Sequence, residues 1–262
     1  MKQWNGLLKK EWVAMKGWFY GTIVASILLI FVLPLLFTLF FGGGAGSLEV
    51  FLSPILLFGA LLGAFMPSII LLVGFGKETD RPDIWLHSPG SIFKLFGSKV
   101  IFAAFVGAVN LVIFTLLLLL QLGFTKEGSG IKFNGEFIGN GGFVLLFLFF
   151  ASLMMMCIAL LFRVFFLVIK PYTKKLTLPI LGVCFVVAVS VESKITGSAM
   201  YQKIAAFGPI GNPSQKRVYI EDSTYFSVDA AHFYVGGLLL NGAFIVLLFV
   251  AAALLFEKKV RL

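Results

Sequence analysis

The chain has 262 residues, 60% of them hydrophobic and only 13% charged, with a mean hydropathy of +1.02. A water-soluble domain is roughly 25% charged and has no interior large enough to hide that much apolar surface. The net charge of +9 comes from 21 Lys and Arg residues set between apolar runs, the pattern of loops held at an anionic membrane face, which argues against a nucleic-acid partner.

The first segment, 1–18, predicts an amphipathic helix. Trp4, Leu8, Trp12, Met15 and Phe19 recur at spacings of three and four, while Lys2, Lys9, Lys10 and Lys16 fall largely elsewhere. Such a helix lies along the membrane surface, either as a plain anchor or as a surface helix that turns sharply into the first membrane helix and helps receive a cytoplasmic partner. Apolar runs then follow at 19–41, 50–75, 100–124, 143–169, 176–191 and 233–256. Continuous runs of this kind predict membrane helices, because a helix satisfies its own backbone in lipid and the alternation of barrel strands is absent. The first run exceeds the length of a cleavable signal core. The fold class expected is therefore an all-α membrane protein with six transmembrane helices. Pro34, Pro54, Pro67 and Pro179 lie in or near the runs and mark sites of possible kinking.

The positive charges give a direction. Fifteen Lys and Arg residues fall in the N-terminal segment, the segment 77–99, the segment 163–175 and the C-terminal tail, against six in the intervening segments. The positive-inside rule then places both termini in the cytoplasm and the long segment 192–232 outside, with the cell membrane as the location. Within 192–232 a partly apolar stretch, 199–210, predicts a short helix dipping into the outer leaflet.

The loop 77–99 is too polar to span lipid and too apolar to be a tether. Thr79 or Asp80 is placed to cap a short helix with Pro82 in an early turn, offering Ile84, Trp85 and Leu86 as anchors among Glu78, Asp80 and Asp83. The order Glu78, Leu86, Ser88-Pro89, Ser91, Leu95 and Gly97-Ser98-Lys99 resembles the loop between the second and third helices of type 2 ABC exporter permeases. The layout is similar too: a basic amphipathic start, six helices, a long segment before the last helix and a basic tail. Asp80-Arg81-Pro82-Asp83 stands where that family often has a Gly-Thr pair.

The resemblance implies that the loop carries a cytoplasmic coupling helix docking on a separate ABC ATPase subunit through Glu78, Asp80, Asp83, Ile84, Trp85, Leu86 and Ser88. It implies a second permease subunit, identical or homologous, and ATP with Mg bound by the partner ATPase, with no cofactor in this chain. The cargo expected is hydrophobic or amphipathic, such as a peptide.

The chain carries no phosphate-binding GxxxxGK[ST] loop. In Gly74-Phe75-Gly76-Lys77 the lysine is followed by Glu78, and no strand precedes it. No HExxH, GxSxG or membrane-depth pair of acids appears, so no catalytic residue and no metal site is assigned, and the chain is not expected to be an enzyme. Cys157 and Cys184 lie in separate apolar runs without CxxC or Cys/His spacing. Strongly polar residues inside the runs are few. Asn110, Arg163 and Asn241 are the candidates for the translocation path or for bridging helices, and Arg163 has the further option of snorkelling to the headgroups. Gly59 and Gly63 form a GxxxG face that favours close helix packing within the chain. Outside the family resemblance, a secondary carrier or channel, or a membrane immunity or assembly protein, stays open.

Overall fold

The computed structural model describes residues 2–32, 35–36, 39, 47–79, 91–124, 135–173, 176–210, 218–219, 225–226 and 233–259. Among these residues seven α-helices follow in order: α1 Lys2–Ile27, α2 Ser47–Thr79, α3 Ile92–Phe124, α4 Gly135–Thr173, α5 Thr177–Thr196, α6 Ala199–Ala205 and α7 Val235–Lys259. Among the described residues strands are confined to two-residue pieces: β1 Pro209–Ile210 pairs antiparallel with β4 Phe233–Tyr234, and β2 Val218–Tyr219 with β3 Tyr225–Phe226. Among the described residues, five segments are long and apolar enough to cross a membrane: Trp4–Val32, Ile92–Leu117, Leu145–Thr173, Thr177–Thr196 and Val235–Lys259. The chain is thus helical and built as a multi-pass membrane protein. The run predicted at 50–75 lies within the 33-residue α2.

Two expectations are corrected. The surface helix 1–18 and the first run do not meet at a sharp turn, because α1 continues from Lys2 to Ile27 and passes into a π-helical stretch, Leu28–Val32. Gly17 and Gly21 near the junction each cost about 1 kcal/mol against alanine and do not force a break. The helix widens over this last stretch.

The second correction concerns the loop 77–99. Residues 77–79 end α2, and α3 begins at Ile92, so that Leu95, Phe96, Ser98 and Lys99 are helical and buried. Ile92, Leu95 and Phe96 share a stripe with Lys99, Ala103 and Val106 at spacings of three and four, and this apolar face outweighs the charges. The Ser91 carbonyl accepts from the N–H groups of Lys94 and Leu95 at 3.0 and 3.2 Å and so starts the helix. Within the segment 192–232 a short helix, α6, stands where one was expected, and β1 after it pairs with β4 at the start of the last run.

The chain divides into two compact units, Met1–Val164 with Phe249–Leu262, and Phe165–Leu248. In the first, α3 packs against both α1 and α2. The α2–α3 contact is close because small residues meet large ones. A Cβ on Gly59 would fall 1.7 Å from Phe114 Cζ, and one on Gly63 2.6 Å from Leu111 Cδ2. In the reverse sense, the Pro67 ring sits in the notch left by Gly107. The GxxxG face therefore packs inside the chain, as expected. At one end Phe75, Phe96 and Phe256 make a three-ring cluster with centroids 5.1 to 5.9 Å apart, binding the C-terminal part of α7 to α2 and α3.

The second unit contains α5 and α6. Thr177 is the one buried residue of α5, while Leu178, Val183 and Val186 are more than 60% exposed. An apolar helix bare on all sides has lipid or another membrane helix as its surroundings, not water.

Candidate functional site

Four charged side chains from three helices converge where α1 begins, α2 ends and α3 begins. Lys10 Nζ lies 2.7 Å from Glu78 Oε1, Lys99 Nζ 3.1 Å from Glu78 Oε2, and the same Lys99 Nζ 2.8 Å from Glu11 Oε1. The row alternates Lys10, Glu78, Lys99, Glu11 and sums to zero formal charge. Its inner half is dry, since the Lys99 and Glu11 side chains are 4% and 6% exposed, whereas Lys10 is half exposed. Neutralisation is what makes the burial tolerable, because an isolated charge at such a site would be held several kcal/mol above its hydrated state.

Each helix brings its residue there for a local reason. Glu11 belongs to the buried stripe Glu11, Met15, Thr22, Ser26 and Ile30, which shares only Met15 with the stripe expected from the sequence. Lys99 lies on the buried stripe of α3, and Glu78 is in the last turn of α2. Two neighbours tighten the joint. Trp4 covers Gly97, where a Cβ would come within 2.9 Å of Trp4 Cη2, and Lys77 Nζ approaches the Ala14 carbonyl at 3.5 Å.

Burial alone would push the Glu78 carboxyl up, but Lys99 and Lys10 together hold it below its ordinary value of 4.5. A carboxylate with a depressed folded pKa stabilises the fold fully above its unfolded value and loses that contribution as pH falls through the folded one. Acid below pH 4.5 is therefore expected to erase the stability difference between the protein and its Glu78→Gln variant, a difference measurable at neutral pH by thermal unfolding in detergent. A difference that grew on acidification would contradict the pairing.

Of the docking residues expected from the sequence, Glu78 alone is described; Asp80, Asp83, Ile84, Trp85, Leu86 and Ser88 lie outside the described residues. Both Glu78 oxygens face lysines of this chain, so Glu78 anchors the stem of the segment between α2 and α3. Asn110 is buried between α3 and α1, its Oδ1 3.1 Å from Ser26 Oγ, which also lies 2.9 Å from the Thr22 carbonyl. One hydroxyl hydrogen does not serve both; with the amide turned over, Asn110 donates to Ser26 and Ser26 donates to Thr22. Asn110 thus bridges helices.

Arg163 is half-buried and lines a cavity of about 350 Å³ with Leu72, Ala159 and Phe162, its Nη2 beside Gly76. Asn241 is half-buried on α7 and makes no side-chain hydrogen bond among the described residues. Cys157 is buried and Cys184 exposed.

Glu11 and its pairing with Lys99 were not legible as a site. One signal was present: Glu11 is the sole acidic residue among the first 48 and falls on the stripe shared by Met15, Thr22 and Ser26. Comparison of the chain with family models, curated proteins and solved structures gives no match.

Proposed function

We propose that the chain is the membrane-spanning permease subunit of an ATP-driven exporter of the type 2 ABC kind. In this reading α2 is a sixth membrane crossing, both termini face the cytoplasm, and the segment between α2 and α3 carries a coupling helix. A separate ATPase subunit binds and hydrolyses ATP with Mg. A second permease subunit completes the path, and the cargo is hydrophobic or amphipathic.

The observation that supports this most is the ion row at the stem of that segment. Glu78, two residues before its start, and Lys99, at the beginning of α3, are tied to each other and to Lys10 and Glu11 of α1. A push on the segment would not be absorbed by a slack loop; it would reach α1, α2 and α3 together, which is the mechanical requirement of a coupling element. Glu78 transmits in this scheme, and Asp83, Ile84, Trp85 and their neighbours touch the partner. The scarcity of carboxylates and histidines in the apolar runs also fits an external energy source better than proton or sodium coupling.

The test is gentle purification of the full chain from its native membrane, followed by ATP hydrolysis in liposomes. A stoichiometric ATPase should accompany the protein and be lost, with inserted protein unchanged, in Trp85→Asp. Repeated purification of the chain alone, or full ATP-coupled transport by Trp85→Asp, would overturn the proposal.

A further inference from the structure

The α6–α7 corner of the second unit holds a groove that the exporter reading does not use. Ser198 caps α6, its hydroxyl accepting from the Tyr201 N–H at 3.3 Å. After α6 the chain reverses at Gly208, whose φ of 69° suits glycine, and β1 joins β4 directly before α7. Gly236 allows α6 to lie against the first turn of α7, since a Cβ there would stand 2.0 Å from the Ile204 carbonyl oxygen. Beside this close contact opens a cavity of about 540 Å³, within the roughly 300–1,000 Å³ typical of small-molecule sites.

Its lining is divided in kind. Ile204, Phe207, Leu239, Leu240 and Ala243 are apolar, and Lys203 supplies the one charge. Among the described residues Lys203 has no carboxylate within ion-pair distance. Of the first N–H groups of α7, those of Val235 and Gly236 already bond to the carbonyls of Gly208 and Phe207.

The apolar wall continues along α7. Val246 and Leu247 follow Leu239, Leu240 and Ala243 on the same face at helical spacing, both 61% exposed. From Leu239 to Leu247 is roughly 12 Å at 1.5 Å per residue, close to the depth of one leaflet's hydrocarbon, about 15 Å. The cation therefore sits at the start of a membrane-crossing helix, with a lane of apolar surface leading from it into the bilayer.

We propose that this groove binds an anionic phospholipid of the surrounding membrane, its phosphate on Lys203 and an acyl chain along Leu239, Ala243 and Leu247. Charge complementarity selects an anionic over a zwitterionic headgroup, and the lane open along α7 makes the bilayer the source. This site needs only a membrane and is independent of the exporter reading.

The experiment uses the full chain in nanodiscs of phosphatidylcholine doped with phosphatidylglycerol carrying a diazirine in its acyl chain, or with phosphatidylcholine of the same acyl chain. Mass spectrometry then locates the labelled residues. The anionic probe should label the 239–247 region in excess over the zwitterionic one. Lys203→Gln should cut that excess roughly fivefold, the worth of one lysine at a membrane surface, and leave phosphatidylcholine labelling unchanged. Ala243→Phe, which fills the groove, should lower labelling by both probes. Equal labelling by the two probes, or an anionic excess that survives Lys203→Gln, would overturn the site. Since no ATPase takes part, failure here leaves the exporter proposal standing, and loss of that proposal leaves this one.

Discussion

Replacing Lys99 with alanine is expected to destabilise the protein by about 3–5 kcal/mol, the cost of removing one partner of a buried ion pair. Among the described residues Lys99 is the cation that reaches Glu11, and it shares Glu78 with Lys10. Its loss leaves the Glu11 carboxylate dry and uncompensated, while Glu78 keeps Lys10 on its more exposed side. The order of damage should therefore be Lys99→Ala first, Glu11→Gln next, and Lys10→Ala least, since Lys10 is half exposed and surface ion pairs contribute about 1 kcal/mol or less.

Unfolding of the solubilised protein, followed by tryptophan fluorescence, gives the order directly. The double variant Glu11→Gln with Lys99→Met removes both charges of the dry pair and should recover most of the loss of Lys99→Ala, because the apolar replacement no longer strands a charge. Equal effects of Lys10→Ala and Lys99→Ala would mean that the row is a surface network, and its use as a rigid stem would fall with it.

What the sequence made legible, and what it did not, divides along physical lines. The six apolar runs were readable because each needs only its own residues to satisfy a helical backbone, and the structure places helix over most of the described part of each, the last beginning at Val235 after the strand pair Phe233–Tyr234. Ends were misread where charge and burial compete. Lys94 and Lys99 argued for a loop, yet Ile92, Leu95 and Phe96 carry α3 back to Ser91, because Lys99 finds carboxylates and its charge no longer opposes burial. The break expected near Trp18 rested on the aromatic stripe Trp4, Leu8 and Trp12. The buried face of α1 keeps Met15 of the expected stripe but otherwise follows Glu11, Thr22 and Ser26, polar residues that bond or pack toward α3. The pairing of Glu11 with Lys99 joins residues 88 positions apart, and no local pattern encodes such a contact. Asn110 was legible as a polar residue inside an apolar run; that its partner is Ser26 rather than a cargo depended on how α1 and α3 cross.

Gly59→Val is expected to be the most damaging substitution at the α2–α3 contact. The Phe114 ring already occupies the space that any Cβ at this position would take, with Cζ 1.7 Å and Cε2 2.2 Å from its ideal place. Phe114 is itself buried, so the ring has no free volume to retreat into, and either it leaves its rotamer or the two helices separate. Overpacking of this kind costs about 1–3 kcal/mol when one ring yields, and more if Gly63 against Leu111 and Pro67 against Gly107 are also pried apart. The pair Gly59→Val with Phe114→Ala separates those outcomes. If the defect is a local clash, the smaller residue on α3 makes room, and the double variant should be more stable than Gly59→Val alone despite the ring it gives up. A double variant no better than the sum of its parts would mean that Phe114 does not abut Gly59. The interlock of α2 with α3 would then rest on Pro67 and Gly107, and with it the rigidity that lets the stem at Glu78 and Lys99 move both helices as one.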